Sequence, residues 1–360
     1  MHEFIRNAWY PLAWNRDVDR SLVSRRVIGE DLVVYRTSDG QVAALRDVCP
    51  HRLLPLSKGR LRDDDAIECG YHGVTFDSRG ACVRVPLQEK PPAAMRVRAY
   101  PTHQSMGMWW VWMGEPEKAD TSKVFSLPQY SAAGWSYVEG DSLHMKANYL
   151  NLADNLCDPT HVAFVHLTTL SNVQSGDIPV HFDSKGSEVV TWRWVMDSPL
   201  IPIFQGLKAF DGNVDRWHFY HYLAPCVAYI DFGSALTGTG APDGNRGDCI
   251  QMFACHFITP VDHDTCVQHW LCIKNIPADA GQDRKLIEGL RMAFNEDKRI
   301  LEAIQENEAK LPDVKPVKIA LDASNTRMRR IVDQMLAAEA AEAAVAVPAA
   351  ATPAATAVAA

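Results

Sequence analysis

Residues 49–52 read Cys-Pro-His-Arg and residues 69–73 read Cys-Gly-Tyr-His-Gly: two short clamps, each with one thiol and one imidazole, with seventeen residues between His51 and Cys69. Two cysteines and two histidines arranged this way call for a metal. A mononuclear zinc site keeps both thiolates in one clamp and both imidazoles in the other. Here they alternate, so each loop gives one ligand to each of two ions. That suits a two-iron, two-sulfide cluster with thiolates on one iron and histidines on the other, whose potential lies above that of an all-cysteine cluster. A zinc knuckle with swapped ligands is the alternative. The surroundings read as strands and tight turns: residues 27–48 hold two β-rich runs joined by Ser38-Asp39-Gly40, and residues 75–85 repeat the device around Ser78-Arg79-Gly80. Residues 106–114, MGMWWVWMG, are too short for the roughly 20 residues that cross a bilayer, so they are read as a buried strand.

Outward from the clamps, the 360 residues are 47% hydrophobic and 22% charged, as in a soluble enzyme of two domains. Thirty-six basic against 44 acidic residues leave a net charge of −8 with no basic block, which excludes a nucleic-acid partner. The nine cysteines are odd in number, and MHEFIRNAWY has no export signal. Free thiols in a reducing cytoplasm are therefore expected rather than a disulfide framework, with Cys82 a small core residue. No membrane span is expected.

After a linker at 115–130 the pattern changes. Residues 144–166 mix helical spacing with histidines, and long β-type runs follow at 188–196, 214–233, 249–261 and 264–276. An amphipathic helix is predicted from Asp279 to Leu311, and a second helix with Ser324 as N-cap. Residues 343–360, almost all Ala, Val, Pro and Thr, are expected to be disordered. Trp192, Trp194, Trp217 and Trp270 are read as core.

A second concentration of ligand-type residues lies at Asp154-Asn155-Leu156-Cys157-Asp158-Pro159-Thr160-His161 and His166. On a helix Asp154, Asp158 and His161 would share a face. Pro159 breaks that helix near Asp158, and bent backbone lets His161 and His166 reach one ion. On the long helix Asp297 falls in the apolar stripe of Leu290, Phe294, Leu301 and Ile304, while Glu296 points off it. Two histidines and one carboxylate with open positions form the facial triad of non-haem Fe(II) oxygenases.

Both sets of residues, in this order, resemble the oxygenase component of Rieske non-haem iron oxygenases, over residues 4 to about 340. The similarity is to the group of vanillate and dicamba O-demethylases and toluenesulfonate methyl-monooxygenase. It is carried by NAWY at 7–10, CPHR, YHG, DNL at 154–156, EDK at 296–298 and LDASNTRMRRIVDQ at 321–334, with GSALTGTGAPDG at 233–244 most like the toluenesulfonate enzyme. The resemblance implies an α+β fold: an all-β Rieske domain at 1–118, a catalytic domain at 119–342 with an antiparallel sheet covered by helices (helix-grip-like), and the tail at 343–360. It makes Cys49, His51, Cys69 and His72 the [2Fe-2S] ligands, and His161, His166 and Asp297 the ligands of a mononuclear Fe(II). Asp158 matches a bridge between a neighbouring subunit's cluster histidine and an iron-ligating histidine of its own, which implies a head-to-tail homotrimer. Asn155 matches a residue near the iron, and His256 a substrate-binding histidine. Tyr229 and Asn151 are further candidate substrate contacts. Cys157 and Pro159 depart from the group's DNLMDLTH pattern, and Cys157 is read as a small buried side chain beside the iron.

The implied function is the terminal oxygenase of a multi-component monooxygenase that uses O2 to dealkylate a small aromatic compound, by O-demethylation or N-dealkylation. Electrons come from NADH through a separate reductase of flavin and ferredoxin type, with or without a separate ferredoxin, since the chain has no GxGxxG fingerprint. Hydroxylation of an aromatic methyl group is one alternative. An electron carrier without catalytic iron is the alternative of another class.

Overall fold

A computed structural model of the chain describes residues 4–166, 170 and 178–346. The turn signals around the clamps form hairpins. Strands β1 (Trp9–Trp14), β2 (Val23–Val27), β3 (Glu30–Arg36), β4 (Val42–Arg46), β5 (Arg60–Leu61), β6 (Ile67–Glu68), β7 (Thr75–Phe76), β8 (Cys82–Arg84), β9 (Ala99–Tyr100), β10 (Thr102–Ser105) and β11 (Met108–Trp112) come first. They build three sheets, ordered β1-β11-β10, β2-β3-β4-β9 and β5-β6-β7-β8. The β7–β8 turn needs its glycine: Gly80 has φ +76°, and a Cβ there would lie 2.0 Å from the Val97 carbonyl oxygen. Every residue of β11 is buried, as its aromatic run predicts.

The second half is one antiparallel sheet in the order β12-β18-β17-β16-β15-β14-β13. Its strands are β12 (Ser136–Met145), β13 (His181–Lys185), β14 (Glu188–Ser198), β15 (Val214–Leu223), β16 (Val227–Leu236), β17 (Cys249–Pro260) and β18 (Cys266–Lys274). The helices are α1 (Tyr149–Cys157), α2 (Val162–Val165), α3 (Ala280–Lys310) and α4 (Ala323–Ala346). One face of the sheet lies against the N-terminal strands. Phe257 meets Trp110 at 5.2 Å between ring centroids, and the Thr259 hydroxyl donates to the Pro11 carbonyl at 2.8 Å. The other face is covered by α3, whose Phe294 meets Trp270 at 5.2 Å and His256 at 4.9 Å.

The structure departs from the sequence reading in several places. β12 escaped notice because Gly140 interrupts it, yet the glycine is what admits Trp270: a Cβ at 140 would lie 2.1 Å from the indole. The run at 214–233 is a hairpin, broken at Ala224-Pro225-Cys226. Ser324 is not a cap. The Asp322 carboxylate accepts the Ile319 N–H at 2.7 Å in a 3-10 turn that leads straight into α4, so Ser324 is buried inside the helix. α4 continues to Ala346, since its alanines are the best helix formers, and so includes 343–346; residues 347–360 lie outside the described residues. The stripe on α3 ends at Leu301, with Ile304 exposed. Trp217 and Trp270 are core, whereas Trp192 and Trp194 are half-buried.

Candidate metal centres and substrate cavity

Asn148 caps α1 by accepting the Leu150 N–H at 2.8 Å, and the helix stops at Cys157, two residues before Pro159. Asp158 is extended, with φ −115° and ψ 109°, and its carboxylate turns onto Thr160, accepting the N–H at 2.7 Å and the hydroxyl at 2.9 Å. This turn starts α2, a single helical turn with His161 at its N-cap and His166 at its C-cap. Leaving the helix at φ −105° and ψ 42° brings the His166 ring within 5.4 Å of the His161 ring.

Outer hydrogen bonds fix both rings. A carbonyl oxygen only accepts, so His161 Nδ1–H donates to the Asp158 carbonyl at 2.6 Å; likewise His166 Nδ1–H donates to the Glu296 carboxylate at 2.8 Å. Both Nε2 atoms therefore present lone pairs, and they face Asp297 Oδ1 at 3.5 and 3.1 Å. Asn155 Nδ2 donates to the same oxygen at 3.0 Å and orients it. Burial raises the Asp297 carboxyl, but the neighbouring His166 and His161 and the hydrogen bond from Asn155 outweigh it and hold it below the usual range. Burial lowers His161, whereas His166, also opposed by burial, is raised by Asp297 and Glu296. Three acceptors converging in a buried space repel one another unless a cation sits between them. Among the described residues this is the one group of three ligand-type side chains whose donor atoms lie within 4.8 Å of one another. It fits a metal with two imidazoles and a carboxylate.

The clamps fit their group differently. Cys49 lies in the β4–β5 loop and Cys69 in the β6–β7 loop, both buried in a core that includes Ile67 and Phe76. Each loop closes on itself, Leu53 N–H to the Cys49 carbonyl at 2.8 Å and Gly73 N–H to the Cys69 carbonyl at 3.0 Å. His51 and His72 are exposed, with ring centroids 4.5 Å apart. Thiols inside and imidazoles outside fit a two-iron cluster with thiolates on one iron and imidazoles on the other. None of the nine cysteines is joined in a disulfide.

A narrow apolar cavity lies between α3 and the sheet, lined by Val162 beside the histidines, Phe294 beside Asp297, and Tyr220, Ile230, Ala254 and His256 from the strands. His256 is fully buried, its Nδ1 sits 2.7 Å from Gln268 Nε2, and its Nε2 has no partner. Burial drops its pKa to about 4, so the ring is neutral and offers one polar group to the cavity. Two other candidates fail. Tyr229 projects to the opposite sheet face from Ile230, stacking on His221 at 4.2 Å. Asn151 is spent on a helix clamp, donating to Glu308 at 2.9 Å and accepting from Arg329 at 2.9 Å. Asp154 joins that clamp, accepting from Arg329 at 2.6 Å, so it does not share a face with Asp158 and His161. The Cys157 thiol turns to Thr191, 3.8 Å away, and burial pushes it up to about 12. Asp158 also differs from expectation: its main-chain carbonyl, not its carboxylate, holds His161. Glu296, expected to point away, holds His166; its spacing from Asp297 gave no sign, because His166 approaches from the side of α3.

The Rieske [2Fe-2S] domain family matches residues 8–101, and the vanillate O-demethylase oxygenase C-terminal domain family matches residues 145–338. A putative toluene-4-sulfonate monooxygenase system iron-sulfur subunit of Comamonas testosteroni is 36% identical over 340 residues, 93% of this chain and 98% of its own. The chain belongs to the Rieske non-haem iron oxygenases. This oxygenase is also 32% identical to a vanillate O-demethylase oxygenase subunit of a Pseudomonas species, over 93% of its own length and 96% of the relative's. Its structure matches dicamba monooxygenase bound to 3,6-dichlorosalicylic acid with a TM-score of 0.85 and 27% identity, over 94% and 99% of the two chains. It is thus an oxidoreductase with a [2Fe-2S] cluster and a mononuclear iron, of α+β fold. Among the described residues no helix is long and apolar enough to cross a membrane.

Proposed function

We propose that this chain is the terminal oxygenase of a multi-component system that hydroxylates the carbon next to an oxygen or nitrogen on a small substituted aromatic, so that the product loses its alkyl group. The observation that carries the reading is the set of three acceptors, His161 Nε2, His166 Nε2 and Asp297 Oδ1, beside an apolar cavity that the buried His256 also lines. Iron held there supplies O2 activation, and the cluster supplies its electrons singly. The protein's part is to hold and exclude. His161, His166 and Asp297 leave open positions, Asn155 and Glu296 keep the ligands in orientation, and the apolar walls keep water from the reacting carbon. His256 presents a neutral ring whose Nε2 is left to hydrogen-bond the substrate.

Cys49, His51, Cys69 and His72 are the proposed cluster ligands, in a Rieske unit at 1–118 followed by the catalytic unit from 119. Exposure of both clamp histidines supports contact with a second subunit, and Asp158 is the proposed relay, in a homotrimer. The electrons are proposed to come from NADH through a separate flavin and ferredoxin reductase, and the compartment is proposed to be the cytoplasm. The test is metal content and EPR of the reduced protein, then turnover with a supplied reductase. About three irons per chain, a Rieske signal and formaldehyde from a methoxy-aromatic are expected. Two irons, with catalysis indifferent to His161→Ala, would leave only an electron carrier. The 36% identity to the toluene-4-sulfonate subunit favours a second reading, oxidation of an aromatic methyl group, which gives a hydroxymethyl product and no formaldehyde.

A further inference from the structure

Arg216, His218 and Tyr220 alternate onto one face of β15, and Ser234, Phe232 and Ile230 stand opposite them on β16. The last two residues of each set line the cavity. Arg216 and Ser234 form the next row along the strands. Arg216 is 1% exposed. Its Nε donates to the buried Ser198 hydroxyl at 2.8 Å, and its Nη2 has no hydrogen-bond partner. The charge acting on Arg216 is a second cation, Arg193 of β14, on which Asp158 acts in turn; among the described residues no carboxylate pairs with Arg216 itself. The Ser234 hydroxyl is fully buried and also lacks a partner.

A buried guanidinium beside another is costly unless an anion meets it. Burial, then Arg193, bring Arg216 down to about 10, and burial with both arginines keeps His218 neutral, so the region is set up for a negative guest. Val162, beside His161, and Phe294, on the same helix as Asp297, line the cavity with Tyr220, and Phe294 packs on His256 at 4.9 Å, which places the metal end of the cavity there. Arg216 is four residues along β15 from Tyr220, about 13 Å of extended strand. The arginine side chain spans part of that distance, and the remainder suits one substituted benzene ring.

We propose that Arg216, with Ser234 beside it, binds the carboxylate or sulfonate of the substrate and so selects aromatic acids, with the reacting substituent directed to the opposite, metal end. This rests on the reading of the cavity as the substrate site. Direct readout of a planar or tetrahedral oxyanion by a guanidinium and a hydroxyl is the chemistry invoked.

Calorimetric titration of the iron-loaded protein tests it, using 4-methoxybenzoate and 4-methylbenzenesulfonate against their neutral counterparts, 4-methoxybenzamide and 4-methylbenzenesulfonamide. At least one acid is expected to bind tenfold or more tightly than its amide, and the tighter acid identifies the head group. Arg216→Met should abolish that preference, Arg216→Lys should retain part of it, and Ser234→Ala should reduce it severalfold. Equal binding of acids and amides, no binding of either acid, or an unchanged preference in Arg216→Met overturns the proposal. Cluster absorbance and iron content report folding. If Arg216→Met does not fold, the wild-type comparison and Ser234→Ala decide. Formaldehyde from a neutral ether without any acid preference would refute the anion site and leave the dealkylation reading standing. Acid preference without turnover of any methoxy-aromatic or methylarene would do the reverse.

Discussion

Glu296 gives the strongest test of how the metal centre is held. Its carboxylate accepts from His166 Nδ1 at 2.8 Å and does not belong to the convergent group of acceptors. Removing an outer partner of this kind typically costs 10–100-fold in metal affinity. Glu296→Ala should therefore weaken iron binding by about 1.4–2.8 kcal/mol. Glu296→Gln keeps an acceptor but loses the charge that makes the bond about twice as strong as a neutral one, so its loss should lie near the tenfold end. The assay is iron content after graded dialysis against a chelator, with the cluster's two irons as internal reference. Both variants should release the mononuclear iron at lower chelator concentration, alanine before glutamine, with an unchanged Rieske EPR signal. Wild-type retention in Glu296→Ala would show that packing alone orients His166 and would refute the argument. Loss of the cluster signal as well would show a folding defect instead.

Other outcomes follow from the same contacts. His161→Ala should leave about two irons per chain, a normal cluster spectrum and no product, as metal analysis and EPR will report. For Asp158→Asn the cluster should still be reduced while product formation falls by roughly 10–100-fold; coupled reductase kinetics would expose an error if turnover stayed normal. Asp154→Ala strips the carboxylate from Arg329, whose side chain is 36% exposed, so thermal unfolding should show a loss of about 1–2 kcal/mol with full activity per folded molecule. Cys157→Ala should alter neither iron signal, because its buried thiol meets Thr191 rather than a metal; a shifted EPR spectrum would contradict that.

How legible these features were depends on how local they are. The clamps could be read because a two-iron cluster takes its ligands from two short loops, and hairpin turns on either side of them are written in Gly40 and Gly80. His161 and His166 were legible for the same reason, with Pro159 marking the end of α1 just before them. Asp297 needed only the period of α3. Contacts between distant segments left no such mark. Asn151 and Asp154 sit on the stretch that carries the ligands, yet Arg329, 175 residues beyond Asp154, draws both away from the metal. Glu296 was read only as pointing off the apolar stripe, because helical phase says where a side chain starts, not what comes to meet it.

The substrate side was the least legible part, and the architecture explains it. A half-buried strand alternates apolar and polar residues and so reveals which face is inside. This sheet is covered on both faces, by the N-terminal strands and by α3, so its central strands read as continuous runs: β17 is buried at eleven of its twelve positions. Within such a run Tyr229 and Ile230 are equivalent in the sequence, although one stacks on His221 and the other lines the cavity. The register of β15 against β16 breaks that equivalence, and it places Arg216 and Ser234 together beyond His218 and Phe232. Exchanging alternate residues along these two strands can therefore change what the cavity accepts while leaving the metal ligands, which come from α2 and α3, where they are.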